Sequence, residues 1–253
     1  GPGLANLQAS SRDGESTGGT LGIGLGAAMR MATRFDSHSV VGRGTVMIAT
    51  FWSDAAPEEK PAVAGLTRPI NGEQVCGDAS AFRTGGGTTT ILHVDGLGHG
   101  GLACSAAQCA VRAFLSGDED DTGPARTIAR LNGAMRGTRG AAVAVVRLDA
   151  KAASLTFAGV GNIAVWIDDG EKRRSLISQP GIVGNHTRVT REIDVPFPEH
   201  ALVVLHSDGL TSKWDLNAYP GLRTRDLHLV AATLIRDAGV HRDDASVTVA
   251  RAS

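Results

Sequence analysis

Aspartates stand where runs of strand-forming residues stop or start. Asp78 lies in Val75-Cys-Gly-Asp-Ala79, Asp95 in His93-Val-Asp-Gly-Leu-Gly-His-Gly100 and Asp208 in Leu205-His-Ser-Asp-Gly-Leu210, while Asp243 and Asp244 come just before Ala245-Ser-Val-Thr-Val-Ala250. The first three read as following an apolar β-like run and the last pair as preceding one, so a sheet can bring all of them to one edge. Hard divalent cations such as Mg²⁺ and Mn²⁺ take oxygen ligands, and four carboxylates with a backbone carbonyl suffice for a pair of them. Two ions about 3.5–4 Å apart lower the pKa of a bridging water and stabilise in-line displacement at phosphorus. The chemistry that fits is phosphoester hydrolysis without a covalent enzyme intermediate. A single Asp-Gly is a common turn, so the weight rests on the joint pattern.

The elements that must position these residues follow from hydrophobic periodicity. Thr88-Thr-Thr-Ile-Leu-His-Val94 is a β-branched run ending at an Asp-Gly turn, and the small and apolar residues Gly101 to Leu115 predict a buried helix. A helix is expected near 124–136 and another near 225–237. Strands are expected near 141–148, 153–159, 163–168, 201–206 and 246–251. Many strands with few helices, not alternating one for one, give an α+β sandwich and not a doubly wound sheet. The acidic loop Gly117-Asp-Glu-Asp-Asp-Thr-Gly123 reads as a solvated connection, since nothing apolar holds its carboxylates together.

Near Ser53-Asp-Ala-Ala-Pro-Glu-Glu-Lys-Pro61 the composition turns polar and proline-bearing, which reads as a linker. The division is therefore a first segment at 1–52, a linker at 53–61 and a main domain at 62–253. In the first segment Leu21, Leu25, Ala28, Met29 and Ala32 recur at helical spacing, followed by Gly42-Arg-Gly44 and a β-rich run from Thr45 to Trp52.

Charge and cysteine content exclude several classes. With 25 Lys and Arg against 26 Asp and Glu, there is no electrostatic case for nucleic acid or an anionic membrane surface. No stretch has the roughly 20 apolar residues of a spanning helix, and no signal peptide opens the chain; a cytoplasmic location is expected. Cys76, Cys104 and Cys109 lack Cys-x-x-Cys spacing and are expected to be small buried residues. Aromatic residues make up 4% of the chain, too few for a base-stacking platform. Met29, Met31, Trp52, Trp166 and Trp214 read as core or domain-contact residues. His206, Ser207 and Asp208 are adjacent in sequence, but neighbouring strand residues face opposite ways, which discounts a Ser-His-Asp triad.

Taken in order and spacing, Gly77-Asp78, Val94-Asp-Gly-Leu-Gly-His-Gly100, Ser207-Asp-Gly-Leu210 and Asp243-Asp-Ala-Ser246 resemble the metal-dependent PPM protein phosphatases. The SpoIIE-type branch is closest, with its RsbX-like members; Gly159-Val-Gly-Asn-Ile163 and Gln179-Pro-Gly-Ile-Val-Gly184 fit it too. The resemblance covers roughly residues 62–252. It implies a β-sandwich flanked by helices, with two Mn²⁺ or Mg²⁺ at one end, hydrolysing phosphoserine or phosphothreonine. By resemblance Asp95 bridges both ions, the Gly96 carbonyl and Asp78 bind one of them, and Asp208 and Asp243 complete the other; Asp244 competes with Asp243. Asp95 and Asp208 are the catalytic candidates. Two positions depart from many relatives: Leu97 stands where a proton-donating histidine follows Asp-Gly, and Asn162 where an aspartate is associated with a third metal. His99 is a substitute proton donor or, as the simpler reading, a helix-start histidine.

In the first segment, Gly1-Pro-Gly3, Asp13-Gly-Glu-Ser-Thr17, Leu21-Gly-Ile-Gly-Leu-Gly26 and Gly42-Arg-Gly-Thr45 resemble the C-terminal half of a GHKL-type ATP-binding domain of the RsbT/RsbW kind. Glycines before a helix let backbone N–H groups approach phosphate, making Gly22, Gly24 and Gly26 the ATP candidates. The other half of that domain would precede Gly1, so ATP binding by this chain is not expected.

The implied partners are phosphorylated STAS-domain proteins of a partner-switching cascade, with no nucleic acid and no membrane, and with a regulatory contact from the N-terminal segment. The competing functions are a catalytically silent docking module of the same cascade and a switch kinase or anti-sigma factor acting through the first segment.

Overall fold

A computed structural model of the chain describes residues 1–6, 24–53, 62–117, 123–185 and 189–252. The described residues group into two compact units, one formed by Gly1–Pro61 with Asp215–Thr233 and the other by Ala62–Trp214 with Leu234–Ser253. The linker beyond Ser53, the middle of the acidic loop and Gly22 lie outside the described residues.

In the larger unit two five-stranded antiparallel sheets face each other. The first runs β10 (Ile193–Pro196), β7 (Ser154–Val160), β6 (Ala141–Asp149), β5 (Thr88–Gly96), β4 (Asp78–Gly85). The second runs β3 (Val63–Arg68), β12 (Ala245–Ala250), β11 (Leu202–His206), β8 (Ala164–Asp168), β9 (Arg173–Leu176). Alternation along β5 explains how both faces are buried: Ile91 joins the core between the sheets, with Phe157, Val165 and Leu205, whereas Leu92 and Val94 face the helical layer. That layer is α2 (Gly100–Leu115) and α3 (Pro124–Ala134), which bury Ala103, Ala106, Ala107, Ala110 and Phe114 from one and Ile128 and Leu131 from the other. The alanine row along α2 lets its backbone lie close to the sheet, which matters for the site below. The α+β sandwich expected from the sequence is the fold observed.

The smaller unit contains α1 (Gly24–Met31) and a hairpin of β1 (Arg34–Val40) and β2 (Gly44–Thr50), paired from Arg34↔Thr50 to Val40↔Gly44. Asp36 accepts hydrogen bonds from Arg225 Nη1 at 3.0 Å and the Asp226 backbone N–H at 3.1 Å, and the His38 ring contacts the Pro220 carbonyl at 3.0 Å. These polar contacts hold the hairpin to the Asp215–Thr233 stretch. The helix α4 (Leu227–Ala238) begins in that stretch.

Several expectations about individual residues need correction. Met31 and Trp52 are exposed, not core, because the two-stranded hairpin and a helix of eight residues have too little surface to cover them. Trp214 is buried, and the Arg173 guanidinium sits between its ring and that of Trp166, 4.3 and 4.1 Å from the two centroids. The three cysteines are free and only half-buried. Among the described residues no helix is long and apolar enough to cross a membrane.

Candidate metal centre

The two sheets each contribute two of the aspartates singled out by their spacing. Asp95 is the last residue but one of β5 and pairs directly with Asp78 across the β4–β5 ladder, so the two carboxylates are cross-strand neighbours on one face. Asp78 opens β4; it does not follow a strand, as its sequence context suggested, because the antiparallel hairpin brings the start of one strand beside the end of the next. Asp208 lies two residues past β11 and Asp243 two residues before β12, and these strands are neighbours in the second sheet. Asp78, Asp208, Asp243 and Asp244 all exert electrostatic repulsion on Asp95. The structure thus gathers every predicted carboxylate at one end of the sandwich.

Close backbone approach fixes the two Asp-Gly turns. A Cβ on Gly96 would fall 2.4 Å from the Ala103 carbonyl oxygen of α2 and 2.8 Å from that of Gly77. The Gly96 N–H donates to the Gly77 carbonyl at 3.1 Å, tying the end of β5 to the approach to β4. A Cβ on Gly209 would fall 1.9 Å from the Asp244 carbonyl oxygen, so glycine is what lets the Asp208 turn sit against the Asp243-Asp244 pair.

The neighbouring aspartates 243 and 244 have different surroundings. Asp244 is buried, and its two carboxylate oxygens accept from the backbone N–H groups of Ile70 at 2.7 Å and Gly77 at 2.6 Å. Asp243 is half-buried, and its Oδ1 accepts from the Asp244 N–H at 2.9 Å. Asp244 therefore fastens loops together, while among the described residues Asp243 Oδ2 has no protein donor. Cys76, Asp78 and Asp244 also bring ligand-type atoms within 4.8 Å of one another. Burial pushes the Cys76 thiol up to about 12, with Asp78 and Asp244 adding to the shift, so the group stays protonated and is a poor cation ligand.

Among the described residues, no lysine or arginine forms an ion pair with Asp78, Asp95, Asp208, Asp243 or Asp244. Burial raises the Asp95 pKa most, and repulsion from the other carboxylates adds to it. Asp78 is raised by burial against the opposing hydrogen bonds of Ser207 and Ser246, with Asp244 and Asp243 contributing. Asp208 is raised by partial desolvation and by Asp243, and the Asn162 Nδ2–H donating to its Oδ2 at 2.8 Å works the other way. Oxygen-only donors, uncompensated and mutually repelling, fit hard divalent cations.

A pH dependence follows. For a carboxyl group raised in the folded state, the stabilising contribution is full below the unfolded pKa and is lost as pH rises through the folded one. The metal-free protein is therefore expected to lose stability between pH about 4 and about 8. Saturating Mg²⁺ should flatten that slope, as thermal melts in EDTA and in Mg²⁺ across this range would show.

The remaining predicted residues are placed as follows. Leu97 is exposed, and His99 caps the start of α2, exposed and in contact with Glu73 at 3.1 Å, in line with the helix-start reading. Gly24 and Gly26 are the first and third residues of α1. His206 Nδ1 donates to the Ser207 backbone carbonyl at 2.8 Å while Ser207 Oγ accepts from the Ser246 N–H at 3.1 Å, so no Ser-His-Asp relay forms. What the sequence reading missed is a buried polar seam behind the aspartates, formed by His93, Ser246 and Thr248. Strand parity was the available signal: His93 and Asp95 are two apart and share a face.

Comparison with known proteins agrees with this geometry. Residues 85–253 match the family model described as stage II sporulation protein E, SpoIIE. The phosphoserine phosphatase RsbX of Bacillus subtilis strain 168 is 24% identical over 160 residues, which is 60% of this chain and 77% of the relative. A chain from structural work on the bacterial stressosome, a modular system adapted to control secondary messenger signaling, is 31% identical. It aligns with 76% of this chain and 100% of its own length at a TM-score of 0.67. RsbX in complex with magnesium shares the fold at 19% identity, covering 78% of this chain and 98% of that one with a TM-score of 0.59. The family match starts at residue 85 and gives the GHKL-type reading of the first segment no support. The sandwich is that of the PPM phosphatases and the greater part of the sequence matches one model: the chain belongs to the SpoIIE family.

Proposed function

We propose that this chain is a metal-dependent protein serine/threonine phosphatase whose substrates are phosphorylated STAS-domain proteins of a partner-switching or stressosome cascade. The observation that carries the reading is the convergence of Asp78, Asp95, Asp208 and Asp243, two from each sheet, with no basic side chain paired to them among the described residues. Support for the substrate class comes from the relative named a phosphoserine phosphatase and from the 31% identical stressosome chain.

In this reading Asp78, Asp95 and the Gly96 carbonyl would hold one Mn²⁺ or Mg²⁺, and Asp95, Asp208 and Asp243 would hold a second. Bound there, the ions supply a water of lowered pKa and neutralise charge in an in-line displacement at phosphorus. The rest is done by the chain itself. Asp78 and Asp95 are fixed by the β4–β5 register, Asn162 orients Asp208 through its 2.8 Å hydrogen bond, and Asp244 holds the Ile70 and Gly77 backbone so that the loops keep their spacing. Leu97 follows Asp-Gly where many relatives carry a histidine, and His99 is engaged with Glu73 at 3.1 Å.

The regulatory part of the proposal assigns the first segment control over turnover through its hold on Asp215–Thr233. Hydrolysis of p-nitrophenyl phosphate and a phosphoserine peptide tests both parts. Turnover is expected with Mn²⁺ or Mg²⁺ and none in EDTA, and Asp36→Ala is expected to change the rate. A folded, metal-binding protein without turnover would leave a docking module of the same cascade; an unchanged Asp36→Ala rate would sink the regulatory part alone.

A further inference from the structure

The buried seam behind the aspartates has a single hydrogen-bond direction. Ser246 Oγ–H donates to Asp78 Oδ2 at 2.7 Å, and a serine hydroxyl has one proton to give. Its 2.9 Å contact with His93 Nε2 must then be one in which the ring nitrogen donates. His93 is fully buried and its other ring nitrogen, Nδ1, faces the Thr248 hydroxyl at 2.9 Å. A neutral ring with Nε2–H accepts at Nδ1, so Thr248 donates there. Every bond in the series Thr248, His93, Ser246, Asp78 points toward the carboxylate.

The series also joins the two sheets. His93 stands on β5, two residues before Asp95 and on the same face, whereas Ser246 and Thr248 stand on β12 of the opposite sheet. Gly65 of β3 lies beside Thr248, where a Cβ would meet Thr248 Oγ1 in ordinary contact at 3.5 Å and fall 2.4 Å from Ser80 Oγ. A row of polar side chains thus replaces apolar packing at the end of the sandwich that carries the aspartates.

We infer that His93 and Ser246 are positioning residues for the metal centre: the His93 Nε2–H forces the Ser246 proton onto Asp78 Oδ2, which, beside the hydrogen bond from Ser207, fixes the orientation of that carboxylate among the aspartates. The inference rests on the metal-centre reading proposed above. Bonds aligned in one direction polarise one another, and removing such an outer partner of a metal ligand typically weakens metal binding about 10–100-fold. A side chain that only filled the core would alter stability and leave metal affinity where it was.

The test uses the full chain and calorimetric titration with Mn²⁺, beside kinetics at saturating metal. His93→Leu and Ser246→Ala are each expected to weaken Mn²⁺ binding roughly tenfold or more, with kcat largely recovered at saturating metal. His93→Gln, which keeps an N–H donor in reach of Ser246, is expected to recover most of the affinity. Wild-type affinity in folded His93→Leu, or a glutamine variant no better than leucine, would overturn the inference. Because these variants place changes in the core, ¹⁵N NMR of wild-type His93 supplies a second measurement. It should show protonated Nε2 and bare Nδ1, with the Nε2 signal moving on Mg²⁺ addition. The opposite tautomer, or no response to Mg²⁺, would refute the relay. A wild-type protein that passes the binding and NMR tests but hydrolyses no phosphoprotein would keep the relay and remove the phosphatase reading.

Discussion

Replacing Asp95 with asparagine is expected to lower metal-dependent turnover by about 10²–10³-fold while making the metal-free protein more stable. The two effects share a cause. Asp95 sits at the centre of the carboxylate cluster, where burial and four like-charged neighbours oppose its ionisation. In the folded metal-free protein the group is held protonated up to about pH 8 at the expense of stability, a cost that an amide of the same shape does not carry. The gain should be roughly 1–3 kcal/mol at neutral pH. It should vanish below about pH 4, where the unfolded chain's carboxyl is protonated as well. Thermal melts of wild type and Asp95→Asn in EDTA at pH 4 and pH 7.5, beside phosphopeptide turnover in Mn²⁺, measure both halves. An Asp95→Asn protein with wild-type turnover would remove Asp95 from the metal centre; one that is less stable at neutral pH would refute the electrostatic account.

The second large effect is expected at Gly209. A methyl group there meets the Asp244 carbonyl oxygen at 1.9 Å and the Ala245 Cα at 2.8 Å, and these are backbone atoms at the start of a buried strand that cannot swing aside as a side-chain tip would. Gly209→Ala must push the Asp208 turn off the Asp243-Asp244 pair or strain β12. A loss above about 3 kcal/mol is expected, together with loss of Mn²⁺ binding, since Asp208 and Asp243 would no longer converge. Gly133, in α3 with nothing within 4 Å of its Cβ position, is the control. Gly133→Ala should be neutral or stabilise by up to about 1 kcal/mol through helix propensity. Denaturant unfolding of the pair, with Mn²⁺ titration of the folded fraction, reads the contrast.

How much of this was legible in the sequence depended on how apolar each element is. The runs in β5, β6, β7, β11 and β12 and the alanine-rich α2 carry their own periodicity, and those elements appear near the expected positions. Strand β4, Asp-Ala-Ser-Ala-Phe-Arg-Thr-Gly, and strand β1, Arg-Phe-Asp-Ser-His-Ser-Val, carry too few apolar residues for alternation to show. They are held by pairing with a stronger partner, which a one-dimensional pattern does not display. The same limit explains Asp78, whose place at the start of a strand depends on the β4–β5 register. Asp78, Asp95 and Asp208 were legible because a glycine stands beside each, and Asp243 and Asp244 because they directly precede an apolar β-like run. The different surroundings of Asp243 and Asp244 were not, since they depend on where the Ile70 and Gly77 N–H groups point. The seam of His93, Ser246 and Thr248 was half legible: parity puts His93 beside Asp95, but only the stacking of the sheets brings β12 opposite.

One feature of the donor arrangement bears on how long a cation stays. Two carboxylates belong to one sheet and two to the other, and no strand hydrogen bond runs between those sheets at this end. In the proposed reading a cation held by Asp95 together with Asp208 and Asp243 would be a clasp across the sandwich, and its departure would require either single carboxylates to let go in turn or the sheets to breathe apart. Where departure goes by the second route, cation exchange and the slowest amide hydrogen exchange of β5 and β12 share one opening motion. Occupancy at a hundred times the dissociation constant adds about 2.7 kcal/mol to the cost of complete opening. A change that loosens the sandwich far from the aspartates would then register first as faster loss of metal, before any loss of fold.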